Sequence, residues 1–194
     1  MLTAMFFIAC EKYEPINDGT VVIEATDVEI GNGGIDTVKV YIVKLTSDGK
    51  NWVYNEIASV KFKNEGFILN IPATIPDEYL WTQYEMFSVF SYESITVSDI
   101  HTKVGNIIIN AYESAGNYVG DFNLGSDNWS VEFMYADRNH TVKGIFKSGL
   151  EADCSYNTGL NIIYHVYGGN TKMTTQKPLN EDFKWHLETY SIDG

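Results

Sequence analysis

Two cysteines are the strongest nucleophiles that this 194-residue sequence offers. Cys154 follows Glu151 and Asp153 closely, and nearby carboxylates raise the pKa of a thiol and suppress its reactivity. A catalytic cysteine also needs a histidine as its base, and none is adjacent in the sequence. We therefore expect Cys154 to be a free, partly buried thiol that packs as a small apolar side chain.

Four histidines are the best candidate metal ligands, and none of them has zinc-finger or helical spacing to another or to Cys154. They are His101, His140, His165 and His186. His165 and His186 are both predicted on the solvent-facing side of their strands, so a bridging metal is an alternative if those strands are neighbours. The favoured interpretation is that His165 and His186 are two scattered surface histidines, with no metal site and no cofactor.

Carboxylates are abundant, with 26 Asp and Glu residues in total. Several lie beside predicted turns together with asparagines, namely Asp121, Asp127 and Asp137 with Asn123, Asn128 and Asn139. Side chains of this type accept hydrogen bonds from the turn backbone, and a calcium site is the alternative use. A pair of carboxylates about 5 to 10 Å apart could also hydrolyse a glycosidic bond. A glycoside hydrolase-like enzyme is therefore kept as an alternative to a non-catalytic protein.

Aromatic side chains are also abundant, and they are more informative about function than the carboxylates. Trp52, Trp81 and Trp129 lie close to predicted turns or strand ends, beside polar residues such as Asn51 and Asn128. Exposed rings flanked by amides can stack on a sugar ring and hydrogen-bond its hydroxyls, so these three tryptophans are the candidate ligand-binding residues. The alternative is that they plug the ends of the fold with the indole N–H turned outward.

The N-terminal residues suggest export and lipidation. Residues 1–9 are uncharged and too short to span a bilayer, which takes about 20 apolar residues in a helix. They predict the h-region of a signal peptide that is truncated before its basic segment. Phe7-Ile8-Ala9-Cys10 resembles the bacterial lipobox, which implies cleavage before Cys10 and acylation of that residue. Residues 10–18 then form a polar tether between the lipid and the domain.

The charge balance narrows the range of partners. The formal net charge is -13 and the sequence pI is about 4.6. Nucleic-acid binding depends on clustered Lys and Arg that displace counterions from phosphates, so no nucleic-acid partner is expected. The expected partners are a membrane, reached through the N-terminal lipid, and a glycan as the candidate ligand.

Alternation with a period of two residues dominates the rest of the chain and predicts strands with one dry and one wet face. Val38, Val40 and Ile42 point one way while Lys39 and Tyr41 point the other. Similar runs recur along the chain, including 131–135, 160–166 and 183–187, and they place Met134 and Asn161 on wet faces.

Gly- and Asn-rich turns between these runs are typical of hairpins. We therefore predict an all-β protein, in which residues 19–194 form a single antiparallel β-sandwich of about ten strands. A closed β-barrel is the alternative. One helix is predicted at about Pro76 to Tyr84, with Asp77 as its N-cap.

Several landmarks together resemble a family of uncharacterised Bacteroidetes-type cell-envelope lipoproteins. They are Cys10 in the lipobox, Gly66 to Pro72, Ser98-Asp99 with Lys103-Val104-Gly105, Tyr135-Ala136-Asp137 with Gly144, Asn161 to Tyr164, and Lys184-Trp185. The resemblance implies a β-sandwich, a lipid anchor and no assigned activity.

The leading functional hypothesis is a non-catalytic lipoprotein of the bacterial cell envelope. It would be held on the periplasmic or the surface face of the outer membrane and would act as a binding or accessory module of unknown ligand. The first alternative is a carbohydrate-binding module that uses its surface aromatics, and the second is the carboxylate-pair hydrolase.

Overall fold

The computed structural model describes residues 21–30, 34–46, 50–89, 94–166 and 171–189. Strands make up 60% of the structure and helices 5%, which confirms an all-β protein. Within the described ranges there are fourteen strands, four more than the sequence suggested. They are β1 (Val21–Ala25), β2 (Thr37–Leu45), β3 (Trp52–Lys61), β4 (Phe67–Ile71), β5 (Trp81–Thr82), β6 (Ser94–Val97), β7 (Lys103–Tyr112), β8 (Tyr118–Gly125), β9 (Trp129–Ala136), β10 (His140–Ile145), β11 (Glu151–Tyr156), β12 (Gly159–Val166), β13 (Lys172–Thr174) and β14 (Lys184–Glu188).

The strands form one large and one small sheet. The large sheet has the order β3-β2-β7-β8-β9-β12-β13-β11-β10-β6, with β14 added to β8 and β5 added to β7, and the small sheet is the antiparallel pair β1-β4. Pairing is antiparallel except between β11 and β13. Since the described part of the large sheet runs from one end strand to the other, the alternative of a closed barrel is wrong.

The sandwich has its main core between the inner face of the large sheet and the layer formed by the small sheet β1-β4. The segment after β1 joins this layer to β14, because the Glu29 amide donates to the Trp185 carbonyl over 3.0 Å. The core contains Val38, Val40 and Ile42 from β2, as their alternation predicted. It is closed by rings, with Phe133 stacked on Trp185 at 5.9 Å between centroids.

A second core covers part of the outer face of the same sheet, which the sequence analysis did not anticipate. Its buried members are Trp81, Val104, Met134, Ala136, Val142, Ala152, Cys154, Tyr156, Ile163 and Met173. Met134 and Asn161 were expected on a wet face, and both are buried. The reason is that β6, β10, β11 and β13 pack over this end of β9 and β12, so two faces of the central strands are dry.

The helical prediction for Pro76 to Tyr84 is only partly right. A short 3-10 helix covers Asp77–Tyr79, and the α-helix α1 begins later and covers Gln83–Val89. Asp77 makes no capping hydrogen bond within its helix. The cap of α1 is Thr82, whose hydroxyl accepts from the Glu85 amide over 3.1 Å while the Glu85 carboxylate accepts from the Thr82 amide over 2.7 Å. This is a capping box, a Thr-x-x-Glu signal readable in the sequence.

Residues 1–20 lie outside the described residues, and with them the predicted signal segment, the lipidated Cys10 and the tether 10–18. None of the helices in the described ranges has the length and apolar character needed to cross a bilayer.

Candidate ligand-binding face

A row of partly or fully exposed tyrosines crosses the outer face of the large sheet on β3, β2, β7 and β8. In β2 and β7 the alternate side chains enter the main core, so Tyr41 and Tyr112 point outward. In β8 a register shift pairs Tyr118 with Tyr112 and brings its ring to the same face. We call the outward residues Tyr41, Tyr54, Tyr112 and Tyr118 the tyrosine face. Tyr54 is 55% exposed and Tyr118 is 41% exposed. The second core covers the neighbouring end of the sheet and leaves this part open.

The four rings form a connected row. Tyr54 meets Tyr41 edge to face, with 6.3 Å between ring centroids, and Tyr112 meets Tyr118 in the same way at 6.0 Å. The hydroxyls of Tyr41 and Tyr112 lie 3.0 Å apart and link the two pairs. Edge-to-face contacts of this kind stabilise a pair by about 0.5–1.5 kcal/mol beyond the buried area. The rings are therefore held in place before any ligand arrives.

The charges beside the rings are paired with each other. The Lys39 ammonium lies 2.8 Å from the Glu56 carboxylate and 5.3 Å from the centroid of the Tyr112 ring. The Tyr118 hydroxyl donates to Asp121 over 2.8 Å. These contacts place donors and acceptors around the rings without leaving a lysine of this group unopposed.

The protonation states on this face follow from these contacts. Burial, and secondly the hydrogen bond with Tyr112, raise the pKa of Tyr41, so its phenol stays neutral at physiological pH. The hydrogen bond to Glu56 raises the pKa of Lys39, so the ammonium stays charged. The face therefore presents a neutral hydroxyl at Tyr41 and an ion pair between Lys39 and Glu56.

Two asparagines of β7 form the floor beneath the tyrosine face. Asn106 and Asn110 point to the same side of β7 as Tyr112, and the side-chain carbonyl oxygen of each is buried without a donor among the described residues. Asn110 as a whole is only 7% exposed and pairs with Lys39 and Asp121 across the neighbouring strands. A buried acceptor without a donor costs about 1–3 kcal/mol.

The three candidate tryptophans differ in exposure and in position. Trp52 is 46% exposed, two residues from Tyr54 on the same face of β3, and therefore extends the tyrosine face. Trp81 is only 5% exposed, so the prediction that it offers a free ring to a ligand is wrong. The two-residue strand β5 pairs with Val104 and inserts Trp81 into the second core. There its ring lies 6.5 Å from that of Trp52, edge to face, and supports it from below.

Trp129 is not part of this surface. It is half-buried against the main core and begins β9, whereas Ala136 at the other end of β9 lies opposite Val104, the partner of Trp81. Seven residues at about 3.3 Å each separate the two ends of the strand by roughly 23 Å. The predicted trio therefore does not converge on one site.

A separate open pocket of about 460 Å³ lies at the turn between β8 and β9. Its carboxylates are Glu29, Asp127, Glu181 and Asp182. None of the four is fully buried, and the Asp182 side chain is 87% exposed. Acid–base catalysis uses a carboxyl whose environment tunes its proton affinity, usually through burial. The pocket therefore gives weaker support to a hydrolase than the tyrosine face gives to binding.

The histidines do not meet. His165 lies on β12, which pairs with β9 and β13, whereas His186 lies on β14, which pairs with β8, so the alternative of a metal between them is wrong. Among the described residues, no group of three or more His, Cys, Asp or Glu is arranged to hold a metal ion. His140 is buried, whereas His101 is exposed.

Cys154 behaves as expected, whereas Asp137 and Asn139 bond to distant backbone, outside their own turn. The Asp137 carboxylate accepts from the Lys103 amide over 2.9 Å, and Asn139 accepts from the Thr158 amide over 2.8 Å. Cys154 is free and fully buried, and burial is the main cause that raises the pKa of its thiol to about 11. Repulsion by Asp153 contributes less. The thiol is thus protonated at neutral pH and suited to packing.

The fold and this face define a β-sandwich protein with a solvent-exposed aromatic surface on one sheet. Comparison of the chain with protein-family models, with curated proteins and with solved structures finds no match. The sequence signal for the face was the outward alternation of Lys39 and Tyr41. The pairing of strands that brings Tyr112 and Tyr118 beside them is a long-range property that alternation does not encode.

Proposed function

We propose that the protein is a non-catalytic binding module of the bacterial cell envelope, and that it binds a glycan on the tyrosine face. The observation that carries the proposal is the row of four tyrosines, extended by Trp52, on four neighbouring strands. Large rings with polar tips are side chains that bind ligands at low entropic cost, because each has few rotatable bonds.

A glycan suits this face because a sugar has both apolar C–H faces and many hydroxyls. The C–H faces can stack on the exposed rings of Tyr54 and Tyr118. The hydroxyls can exchange hydrogen bonds with the phenols, with the Glu56 carboxylate and with Asp121. Binding sites generally combine an aromatic lining with a few polar groups that fix orientation, and this face has that composition.

The anchor is a second part of the proposal and concerns the N-terminus. Its support is the segment Phe7-Ile8-Ala9-Cys10 and the polar residues 10–18 that follow it. Several acyl chains on one residue would hold the chain on a membrane, since each buried methylene contributes about 0.8 kcal/mol. Anchoring of this kind needs no surface of the folded domain, which leaves the tyrosine face free. Membership of the Bacteroidetes-type lipoproteins belongs to the same proposal.

Affinity electrophoresis against a panel of polysaccharides tests glycan binding. We expect at least one polysaccharide to retard the wild-type protein, and the double variant Tyr54→Ala/Tyr118→Ala to lose that retardation. Tyr84→Ala is the matched control, because Tyr84 is 64% exposed but lies on α1, outside the face. Retardation of the double variant equal to that of the wild type would place the ligand elsewhere. New reducing ends in the retained polysaccharide would contradict a non-catalytic role.

A further inference from the structure

We infer that the glycan of the tyrosine face is a neutral, linear polysaccharide that lies across the strands, and this rests on the proposed function above. The inference concerns the direction, the length and the charge of the bound polymer. Each follows from a different feature of the face.

The direction follows from where the rings are. Tyr54, Tyr41, Tyr112 and Tyr118 occupy four consecutive strands of the sheet, β3, β2, β7 and β8. Along any one of these strands the outer face offers fewer rings, and the largest set is the pair Trp52 and Tyr54 on β3. In the sheet register Tyr41 lies opposite Ile108 and Tyr112 lies opposite Thr37, so the row advances along the strands as it crosses them. A polymer that crosses the strands obliquely therefore meets more rings than one that runs along a single strand.

The length follows from the spacing of the rings along the row. Ring centroids are 6.3 Å apart between Tyr54 and Tyr41 and 6.0 Å apart between Tyr112 and Tyr118, and the two pairs meet through hydroxyls 3.0 Å apart. An extended chain of pyranose sugars advances by a similar distance with each sugar, so successive sugars can meet successive rings. We expect the face to hold about four sugars, one for each ring.

The charge of the polymer follows from how the lysines are used. Lys39 and Lys61 are the lysines on the outer side of β2 and β3, and they are held by Glu56 at 2.8 Å and by Asp36 at 2.5 Å. An anionic polymer would have to compete with these carboxylates and approach a chain of net charge -13. A neutral polymer meets no such penalty. The same charge argument disfavours a second copy of this chain as the occupant, since both copies carry -13.

The test uses polymers that share a backbone and differ in charge. Hydroxyethylcellulose and carboxymethylcellulose form one such pair, and neutral mannan, xylan and dextran are compared with polygalacturonate and alginate. Affinity electrophoresis at low and high NaCl is followed by calorimetry with disaccharides to hexasaccharides of the best neutral polymer. Glu56→Gln is the specificity variant, because it releases Lys39 from its partner.

Retardation by neutral polymers only, unchanged by NaCl, together with at least tenfold tighter binding of the tetrasaccharide than the disaccharide, supports the inference. Glu56→Gln should then gain salt-sensitive retardation by an anionic polymer. Equal or stronger retardation of the wild type by anionic polymers overturns the inference but leaves glycan binding standing. A disaccharide that binds as tightly as a tetrasaccharide overturns the placement across the strands.

Two further results would remove glycan binding itself. One is the absence of retardation by every polymer. The other is a dimer in sedimentation velocity that Tyr54→Ala dissociates, which would make the face an interface between copies.

Discussion

His140 shows how a single buried residue couples this fold to pH. It is 3% exposed and stacks on Tyr156, with 4.4 Å between ring centroids. Its Nε2 lies 3.0 Å from the amide nitrogen of Gln83, which can only donate, so Nε2 must accept. Its Nδ1 then carries the proton and faces the Arg138 carbonyl oxygen at 3.3 Å. The bonding pattern thus assigns a neutral ring.

The pH dependence of stability follows from this state. Burial lowers the pKa of His140 below 6.5, and this outweighs the opposing effects of the Arg138 carbonyl and of Asp137 and Asp99. The unfolded chain therefore takes up the proton first, and the free energy of unfolding falls as the pH drops below about 6.5, by up to about 1.4 kcal/mol per pH unit.

Urea denaturation at pH 7.5 and 5.5 measures this term. We expect the loss of stability between the two pH values to be smaller in His140→Phe than in the wild type by about 1 kcal/mol. His101→Phe is the control, because His101 is exposed and should leave the difference unchanged. An equal loss in wild type and His140→Phe would show that His140 does not carry the pH dependence.

At the scale of elements, β10 depends on one glycine. Gly144 pairs with Ile95 of β6 and Ala152 of β11, and its φ is +130°, a conformation open to glycine alone. A Cβ at this position would lie 1.9 Å from the Ser94 carbonyl oxygen, which is backbone and cannot rotate away.

Replacing Gly144 tests that dependence. We expect Gly144→Ala to lower the free energy of unfolding by about 2 kcal/mol or more, because both the backbone strain and the clash oppose the β6–β10 pairing. The measurement is the midpoint of urea denaturation. Gly34→Ala is the matched control, since a Cβ there meets nothing within 4 Å. Similar midpoints for the two variants would mean that β6 shifts at little cost.

Elements also show which parts of the fold the sequence can predict. Alternation identified the inner face of β2 correctly, because a period of two residues is a local property of the backbone. It misassigned Met134, because it cannot tell whether a second layer covers the other face of a strand. Alternation also could not predict that Trp81 is buried. A polar neighbour such as Gln83 is typical of an exposed segment, yet Gln83 is itself fully buried. Burial by distant segments decides both cases.

At the scale of the whole molecule, the two cores determine where a ligand can bind. The main core fills the inner side of the large sheet, and the second core covers the outer side near β9 and β12. The second core does not extend over the outer side of β3, β2, β7 and β8 where the four tyrosines lie. The composition shows that aromatic residues are abundant. The strand order, which the composition does not contain, brings four of the thirteen tyrosines into one row.

The proposed N-terminal anchor is also a property of the whole molecule. It can be tested independently of the folded domain. If Cys10 carries the lipid, Cys10→Ser should move the protein from the membrane fraction to the soluble fraction of bacteria that express it. The far-UV circular dichroism should stay that of a β protein, and retardation by polysaccharide should persist, since the tyrosine face lies entirely in β2, β3, β7 and β8. Cys154→Ala is the control that should stay in the membrane fraction, because that thiol is buried in the second core. Membrane retention of Cys10→Ser would mean that another segment holds the chain, and the tyrosine face would then have to be considered as a membrane contact.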